Sequence, residues 1–500
     1  MKYKSTRGNH KLLNASQVIK LGMVPEGGLF VPDEIPELSQ SEIFSKKNDD
    51  YQDIASWILS YFLNDFSEDE IREAVKKAYS KENFPVEQIT PIISFDRETH
   101  LMELWHGPTA AFKDIALQLM PYLLKKSVRK SESDKEIVIL VATSGDTGKA
   151  ALEGFKNIEG VKIIVFYPEE GVSQVQKDQM LTTGGNNTEV IGVKGNFDDC
   201  QNAVKKVFGD KKFNELLAKN DYQLSSANSI NWGRLVPQIV YYFAGYFYLL
   251  RENKIKEGEK INITVPTGNF GNILAGYYAY KMGLPVNKFI CATNENKVLA
   301  DFLETGRYDI NREFKKTISP SMDILISSNL ERFLFEITGH NSKKINKWYN
   351  KLREKGIFEI DSSTLSEIQN LFIGKSASEK EVKMKIKEVY NNYGYLIDPH
   401  TGVGYSCLKD YRKDNFDYTP TILDSTANPY KFSKNVLEAI EEDKVKNDYS
   451  QVVKKLKEIT GMEIHRGLEN LYHKEIKHKR KCEVKEVPQQ IREVLGIGGI

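Results

Sequence analysis

Two short apolar runs in this chain each end in a glycine-rich turn that leads directly into a helical pattern. The first run, EIVILVA at 136–142, is followed by TSGDTG at 143–148. The second run, INITV at 261–265, is followed by TGNFGN at 267–272. Short continuous apolar strands that alternate with helices are typical of parallel sheets covered on both faces. We therefore expect an α/β fold in which a ligand binds at the carboxyl ends of parallel strands, in a cleft between two domains.

Each glycine-rich turn is a candidate site for an anion, because free N–H groups and the helix dipole meet at a helix start. Neither turn has the G-x-x-x-x-G-K-[ST] spacing of a nucleotide phosphate loop, and neither matches G-x-G-x-x-G. The pattern therefore fits a monophosphate or a carboxylate better than a nucleotide tail. The alternative is that both are ordinary tight turns between a strand and a helix.

The alternation of strands and helices occupies the middle of the chain, where further strands are expected at 161–167, 188–193 and 288–293. The segment 51–66 has apolar residues at helical spacing, and Ser67 begins a capping box for the next helix. These features predict a separate opening unit before the sheets begin.

The domain organisation that we predict has three parts. An N-terminal unit covers 1–90, and a smaller, mobile sheet domain covers 121–231. A larger domain is built from 91–120 and 232–500, with a charged helical insertion at about 330–395. The stretch 433–480 is similarly charged and helical.

Composition excludes several classes of protein. With 40% hydrophobic and 28% charged residues, the 500-residue chain has the composition of a globular enzyme. The chain has 70 Lys and Arg and 69 Asp and Glu, which gives a net charge of +1. So small a charge produces no overall electrostatic attraction to nucleic acid or to an anionic membrane. The basic segment 473–485 is therefore expected to be a solvated helix face. The apolar stretch 236–250 is shorter than the ~20 residues that span a bilayer, and we expect a buried helix there.

The cysteines and histidines predict no metal site. The four cysteines are at least 75 residues apart, so neither a zinc ribbon nor a disulfide framework is indicated. The eight histidines form no H-E-x-x-H pattern. The first fourteen residues lack the apolar core of a signal peptide. These signs predict a cytoplasmic protein.

A lysine in unusual surroundings lies in the segment WHGPTAAFKD at 105–114. Lys113 stands between Phe112 and the apolar run 115–117. A lysine at a helix start is commonly a solvated charge, but mostly apolar neighbours would desolvate it. Desolvation lowers the pKa of a lysine and makes the neutral amine available as a nucleophile. A neutral amine beside a phosphate-binding turn is what pyridoxal phosphate requires.

Eight sequence blocks, taken in order, resemble the threonine synthases, which are fold type II pyridoxal-phosphate enzymes. Their order and spacing match the longer branch, which is found in bacteria and fungi. The blocks are STRG at 5–8, GGLFVP at 27–32, ELWHGPTAAFKD at 103–114, ATSGDTG at 142–148, SANSINWGR at 226–234, VPTGNFGN at 265–272, DPHTGVG at 398–404 and DSTANPYKF at 424–432.

The resemblance implies roles for individual residues around the cofactor. Lys113 would hold the cofactor as a Schiff base and then move protons. Thr426 would hydrogen-bond the pyridine nitrogen, and Asp146 would line the oxygen side of the ring, where many relatives have Asn. The cofactor phosphate would be cradled by five consecutive residues, namely Gly268, Asn269, Phe270, Gly271 and Asn272.

The resemblance also implies where the substrate binds. Ser144, Gly145 and Thr147, together with Asp146, would hold its carboxylate. Asn231 and Arg234 would hold its phosphate, although Arg234 could equally pair with an acid in the core. His400 either lines the site or is a structural histidine.

The activity that the resemblance implies is the conversion of O-phospho-L-homoserine and water to L-threonine and phosphate, by γ-elimination and then β-addition of water. Several proton transfers would fall to one amine, so the smaller domain would close and exclude water, with the turn 143–148 as the moving part. The expected partner is this small-molecule substrate, with no nucleic acid and no membrane. The chain would be a monomer or a homodimer.

Two alternatives remain open at this point. Serine or threonine dehydratases and cysteine synthases share the fold, but they usually place Ser before the Schiff-base lysine and Arg soon after it. Here Phe112 precedes Lys113, Asp114 follows it, and the next arginine is Arg129. A relative that only binds ligands or signals would most simply have lost the lysine, which is present.

Overall fold

A computed structural model of the protein describes residues 1–131, 135–143, 145–170, 172–441 and 448–498. The strands of this part of the chain are β1 (Tyr3–Ser5), β2 (Phe30–Pro32), β3 (Ile92–Ser94), β4 (Thr99–Glu103), β5 (Glu136–Ala142), β6 (Val161–Pro168), β7 (Thr188–Lys194), β8 (Tyr222–Ser226), β9 (Ile261–Pro266), β10 (Val286–Thr293), β11 (Arg307–Asp309), β12 (Ile357–Glu359), β13 (Phe372–Ser376), β14 (Thr421–Ser425) and β15 (Arg480–Glu483).

Helices connect and cover these strands. In chain order they are α1 (Ala15–Leu21), α2 (Gln40–Ser45), α3 (Tyr51–Phe62), α4 (Glu68–Ala78), α5 (Lys113–Lys130), α6 (Asp146–Phe155), α7 (Gln174–Leu181), α8 (Phe197–Gly209), α9 (Lys211–Lys219), α10 (Trp232–Arg251), α11 (Gly271–Lys281), α12 (Val298–Thr305), α13 (Leu330–Ile337), α14 (Ser342–Lys355), α15 (Ser362–Gln369), α16 (Glu379–Tyr393), α17 (Pro399–Asn415), α18 (Ser433–Glu441), α19 (Tyr449–Thr460) and α20 (Val487–Leu495).

The larger sheet has six strands in the order β13-β10-β9-β14-β4-β3. Its strands are parallel except for β3, which pairs with β4 in the antiparallel sense. Strands β9 and β14 are neighbours, with Thr264 opposite Leu423. Because parallel strands end at the same edge of a sheet, the segments that follow β9 and β14 emerge side by side.

The smaller sheet has five parallel strands in the order β15-β7-β6-β5-β8. Four of them lie between 136 and 226, and three of these, β5, β6 and β7, are the strands that the alternating pattern predicts, whereas β8 was not predicted. The outermost strand, β15, comes from the other end of the chain. The sequence assigns all residues after 231 to the larger domain, and this prediction is wrong for β15. An edge strand is largely exposed, and the residues of β15, RKCE, are mostly polar. The sequence therefore has no apolar run from which this strand could be predicted.

The α/β fold class is confirmed: two largely parallel sheets are covered by helices. The segment 330–395 is more than a helical insertion, since it also contains β13, which forms the edge of the larger sheet beside β10. Ser67 caps α4 with the predicted capping box, its hydroxyl accepting from the backbone N–H of Glu70. The predicted helix at 51–66 is α3, which ends earlier, at Phe62.

Helix α10 carries the most apolar stretch of the chain and is buried along nearly all of its length. It lies between the N-terminal unit and the larger sheet, packing against α3, α5 and α11. This is the buried helix that the composition predicts at 236–250. In the described residues, no helix combines the length and the apolar character that crossing a membrane requires.

Candidate active site

Lys113 is the first residue of α5 and lies where that helix meets the end of β14. The backbone N–H of Phe112 donates to the carbonyl of Thr426 over 2.9 Å, and Ala111 forms a β-bridge with Ala427. The lysine side chain is only 13% exposed. Burial lowers the pKa of Lys113, an effect that the nearby carboxylate of Asp146 offsets only in part. The structure therefore holds an amine that deprotonates more readily than a surface lysine.

Asp146 is the first residue of α6, which packs against β5 and β6 of the smaller sheet, and its carboxylate lies beside Lys113. Its Oδ2 accepts from the Ser321 hydroxyl over 2.9 Å and lies 3.5 Å from Nζ of Lys113. Its Oδ1 lies 2.9 Å from Nζ of Lys431 and accepts from the amide of Gln176 over 2.8 Å. Burial alone would raise the pKa of this carboxyl, but the ammonium groups of Lys431 and Lys113 hold it well below its usual range. Asp146 therefore carries a negative charge at neutral pH.

Three partners of Asp146 were missed by the sequence analysis. Lys431 is fully buried and also donates to the carbonyl of Thr109 over 2.9 Å. It belongs to the block at 424–432 on which the family resemblance rests, so that block was the available signal. Ser321 and Gln176 stand in no recognisable motif. They reach Asp146 because the fold brings α7, which carries Gln176, and the segment that carries Ser321 to the same cleft.

The turn that follows β9 presents free backbone amides. In the described part of the chain, no N–H group from 268 to 272 donates a hydrogen bond to another protein group. Phe270 precedes α11 with a φ of 60°, a left-handed conformation that is uncommon outside glycine. A Cβ atom on Gly268 would lie 2.9 Å from the carbonyl oxygen of Ser321. Consecutive unbonded amides at the start of a helix are the donor set that a phosphate requires.

The turn that follows β5 is built differently. The hydroxyl of Thr143 accepts from the N–H groups of both Gly145 and Gly148, over 2.9 and 3.0 Å. The Thr147 side chain makes no hydrogen bond to another described residue. Ser144, predicted to bind the substrate carboxylate, lies outside the described residues.

The two residues predicted for the substrate phosphate have different surroundings. Asn231 is fully buried and caps α10, and its amide donates to the carbonyls of Ile19 and Ser226 over 3.1 and 2.8 Å. With both of its donors used, this side chain has none for a phosphate, and the predicted role is not favoured. Arg234 is also buried, but its Nε has no hydrogen-bond partner and its Nη1 donates only to the carbonyl of Ala227.

Arg234 has the free donors that a phosphate would use. Its positive charge is close enough to Lys113 to contribute to the lowered pKa of that amine. Burial lowers the pKa of Arg234 itself to about 10, so the guanidinium is charged at neutral pH. Among the described residues it forms no ion pair with a carboxylate, which was the alternative suggested by the sequence.

The remaining predicted residues surround this cluster. Thr426 is 6% exposed, and its hydroxyl makes no hydrogen bond within the described chain. The Oδ1 of Asn272 accepts from the hydroxyls of Tyr241 and Tyr242, while its backbone N–H and its buried Nδ2 make no hydrogen bond to another described residue. His400 has both ring nitrogens engaged: Nδ1 is 2.6 Å from Asp398, and Nε2 accepts from the N–H of Ser321 over 3.2 Å.

The basic segment 473–485 is not one solvated helix face. His478 is buried with its Nε2 2.9 Å from the carbonyl of Thr183, and β15 follows directly. The segment therefore joins the larger domain to the smaller sheet. In the described residues, no group of three or more His, Cys, Asp or Glu side chains is arranged to hold a metal ion.

Comparison with known proteins agrees with this geometry. The family described as "Threonine synthase N terminus" matches residues 2–79, and the family described as "Pyridoxal-phosphate dependent enzyme" matches residues 85–422. Threonine synthase of Saccharomyces cerevisiae is 36% identical over 466 residues, which cover 88% of this chain and 89% of that protein. The chain belongs to the threonine synthase family.

Other members of the threonine synthase family extend the comparison. The crystal structure of pyridoxal-phosphate-bound threonine synthase from Brucella melitensis is similar over 99% of both chains, with a TM-score of 0.86 and 34% sequence identity. Threonine synthase-like 1 of Homo sapiens is 39% identical over 435 residues, and that alignment spans only 58% of the human protein.

Proposed function

We propose that this protein is a threonine synthase that uses pyridoxal phosphate to convert O-phospho-L-homoserine and water into L-threonine and phosphate. The observation that carries the proposal is the pairing of two features across one cleft. The first feature is the buried amine of Lys113, whose pKa is lowered and which lies beside the ionised carboxylate of Asp146. The second is the set of free amides in the turn 268–272. Ser321 connects the two, since its hydroxyl donates to Asp146 and its carbonyl lies against Gly268. Membership of the threonine synthase family supports the same reaction.

The cofactor would be held by groups whose hydrogen-bonding capacity is unused within the protein. The amides of 268–272 suit its phosphate, and the hydroxyl of Thr426 suits its ring nitrogen. A neutral hydroxyl at that position makes the ring a milder electron sink than a carboxylate would. When bound, pyridoxal phosphate supplies an aldehyde that reacts with amines and a ring that accepts electrons from the substrate.

Lys113 would carry out the proton transfers. Burial lowers the pKa of its Nζ, so this amine loses its proton more readily than a surface lysine. The neutral amine would accept the proton from Cα of the substrate and later return it. Asp146 remains ionised and holds Nζ in the cleft, while Lys431 and Ser321 fix the carboxylate in turn. These side chains are largely buried, which limits the access of bulk water during the transfers.

For the substrate, we assign the phosphate to Arg234 and the carboxylate to Ser144 and Thr147 of the turn 143–148. The N–H of Gly145 donates to Thr143, so Gly145 would act by letting the backbone approach the substrate closely. Arginine suits a phosphate because its guanidinium donates in a planar fork. Asn231, whose side chain is committed to backbone groups, would act by fixing the start of the helix that carries Arg234.

We also propose that the enzyme is cytoplasmic, acts as a monomer or a homodimer, and binds no nucleic acid. All four cysteines are free and buried, which suits a reducing compartment. The net charge of +1 gives no general attraction to nucleic acid.

The decisive experiment follows threonine and phosphate release from O-phospho-L-homoserine for the wild type, Lys113→Ala and Lys126→Ala. Lys126 lies on the same helix and pairs with Glu73 at the surface, so it is the matched control. We expect equal release of both products by the wild type and Lys126→Ala, and none by Lys113→Ala. A folded wild type that binds pyridoxal phosphate but releases no threonine would contradict the synthase assignment. Serine and threonine would then be tried as substrates of a dehydratase.

A further inference from the structure

Two carbonyl groups of the turn 268–272 accept hydrogen bonds from the loop that contains Ser327 and Asn329. We argue that these bonds orient the free amides of the turn away from that loop and toward the cleft. The hydroxyl of Ser327 donates to the carbonyl of Gly268 over 2.8 Å. The carbonyl of Asn269 accepts twice from Asn329, from its backbone N–H and its side-chain amide, both over 3.1 Å. In a planar trans peptide the C=O and N–H groups point in opposite directions. Fixing these two carbonyls therefore directs the next two N–H groups, those of Asn269 and Phe270, to the other side.

This backing also acts on the least favourable backbone conformation of the turn. Phe270 adopts a left-handed φ of 60°, which is unfavourable for a residue other than glycine. Such a conformation persists only when its surroundings impose it. The two bonds from Asn329 fix the peptide group that directly precedes Phe270.

Asn329 is in turn held by a fully buried arginine. Arg332 donates through Nη1 to the side-chain oxygen of Asn329 over 2.6 Å. Its Nε donates to the carbonyl of Phe30 in β2 over 2.8 Å, and its Nη2 donates to the carbonyl of Ile230. All three described acceptors are neutral, and burial lowers the pKa of Arg332 to about 10. Burying a cation without a hydrogen-bonded counter-charge is unfavourable, so stability alone does not explain this residue.

The three acceptors of Arg332 come from three separate parts of the chain. Phe30 belongs to the N-terminal unit, Ile230 to the segment that leads into α10, and Asn329 to the loop behind the phosphate turn. The adjacent Glu331 strengthens the first connection, since it pairs with Arg7 in a two-point contact and accepts from the Thr6 hydroxyl over 2.6 Å.

We infer that Arg332 is a positioning residue through which the N-terminal unit fixes the phosphate turn, with Asn329 and Ser327 as the direct supports. The inference rests on the proposed role of 268–272 as the cofactor phosphate site. It gives the N-terminal unit a function in the active site, although that unit supplies no group that faces Lys113 among the contacts described above.

The test measures pyridoxal-phosphate affinity by titrating the apo-protein, together with the phosphorus NMR shift of the bound cofactor. The variants are Arg332→Met, Arg332→Lys and Asn329→Ala. The matched control is Arg412→Met, because Arg412 is also a buried arginine that donates only to neutral oxygens, on Thr99, Glu98 and Thr421, at the opposite ends of the strands.

We expect Arg332→Met and Asn329→Ala to weaken cofactor binding at least tenfold and to shift the phosphorus resonance. Arg332→Lys should recover part of the affinity, and Arg412→Met should bind as the wild type does. Wild-type affinity in Asn329→Ala, or an equal loss in Arg412→Met, would overturn the inference. Asn329→Ala decides the outcome if Arg332→Met does not fold. A wild type that binds no pyridoxal phosphate would instead overturn the proposed function, and this inference with it.

Discussion

The two glycine-rich turns have similar sequences but present different chemistry to the same cleft. In the turn after β9, the carbonyls are bonded from behind and the amides are left free. In the turn after β5, two amides are satisfied internally by Thr143, and the group directed to the cleft is the carboxylate of Asp146. A strand, a glycine-rich turn and a helix therefore do not by themselves define an anion site. The partners of the turn decide which of its groups remain available.

A buried carboxyl accompanies each turn, and the two differ in charge state. Asp146 has two ammonium neighbours, Lys431 and Lys113, and its pKa is held well below its usual range. Asp424 lies in β14, where its neighbours are the hydroxyl of Tyr242 and the amide of Asn272. Burial raises the pKa of Asp424 to about 7, because those neutral groups offset it only in part. An aspartate therefore provides a fixed negative charge beside the first turn, as Asp146, and a carboxyl that titrates near neutral pH beside the second turn, as Asp424.

The largest effect should come from removing the fixed charge. Asp146→Asn leaves the fully buried Lys431 without its counter-ion, and we expect a loss of about 3 kcal/mol in the free energy of unfolding at pH 7. Urea denaturation measures this. The loss should shrink at low pH, because a depressed carboxyl pKa contributes stability that disappears as that carboxyl is protonated.

The control is the double variant Asp146→Asn with Lys431→Met, which removes both charges. We expect it to be more stable than the sum of the two single losses predicts, by more than 1 kcal/mol. Simple additivity would show that the two groups do not form a coupled pair.

The next effect tests the anion role of the second turn. Gly268→Ala should weaken pyridoxal-phosphate binding about 30-fold, or about 2 kcal/mol, because its Cβ would press on the backbone of Ser321 and displace the turn. Gly233→Ala is the matched control, since its Cβ would meet only ordinary contacts of 3.4 Å or more near the start of α10. Equal affinities for all three proteins, measured by titration, would remove the phosphate site from 268–272.

A smaller effect tests the internal bonds of the first turn. Thr143→Val leaves the amides of Gly145 and Gly148 without an acceptor and should cost about 1–2 kcal/mol of stability. Cofactor affinity should change less than twofold, because these amides donate to Thr143 and lie outside the turn 268–272 that we propose for the phosphate. Thr143→Ser keeps the hydroxyl and should restore stability. A large loss of pyridoxal-phosphate affinity in Thr143→Val but not in Thr143→Ser would show that both turns contribute to cofactor binding, which contradicts the difference proposed between them.

The smallest effect concerns the titrating carboxyl. The folded pKa of Asp424, about 7, lies above the unfolded value near 4, so wild-type stability should fall as the pH rises through this window. Between pH 6 and 7 we expect the wild type to lose about 1 kcal/mol relative to Asp424→Asn. Urea unfolding at both values measures the difference. Asp414→Asn, at an exposed carboxylate whose pKa is lowered, should behave as the wild type does.

Much of the framework was predictable from the sequence because apolar periodicity reports burial directly. The predicted strand at 136–142 coincides with β5, and the capping box at Ser67 was read from its side chains. The short edge strands β13 and β15 were missed, since few of their residues are buried and their pairing partners are distant in the chain. A short edge strand has too few alternating apolar residues to be distinguished from a loop in the sequence.

The candidate site divides in the same way. Lys113 was predicted because its own neighbours in the sequence are apolar. Lys431 was not, although Tyr430 and Phe432 flank it, because the carboxylate that balances its buried charge comes from a distant part of the chain, at the start of α6. Asn231 shows the opposite case: its place in a motif suggested a ligand contact, whereas in the structure its side chain caps α10.

The edge strand β15 has a consequence for the timing of protein synthesis. Lys194 and Glu483, which pair where β7 and β15 meet, are 289 residues apart in the chain. At typical rates of translation, the ribosome needs on the order of tens of seconds to make the intervening residues. During that interval the nascent smaller sheet has an open edge at β7, the kind of surface that chaperones shield. The last strand of the described chain to be made is therefore the one that covers β7.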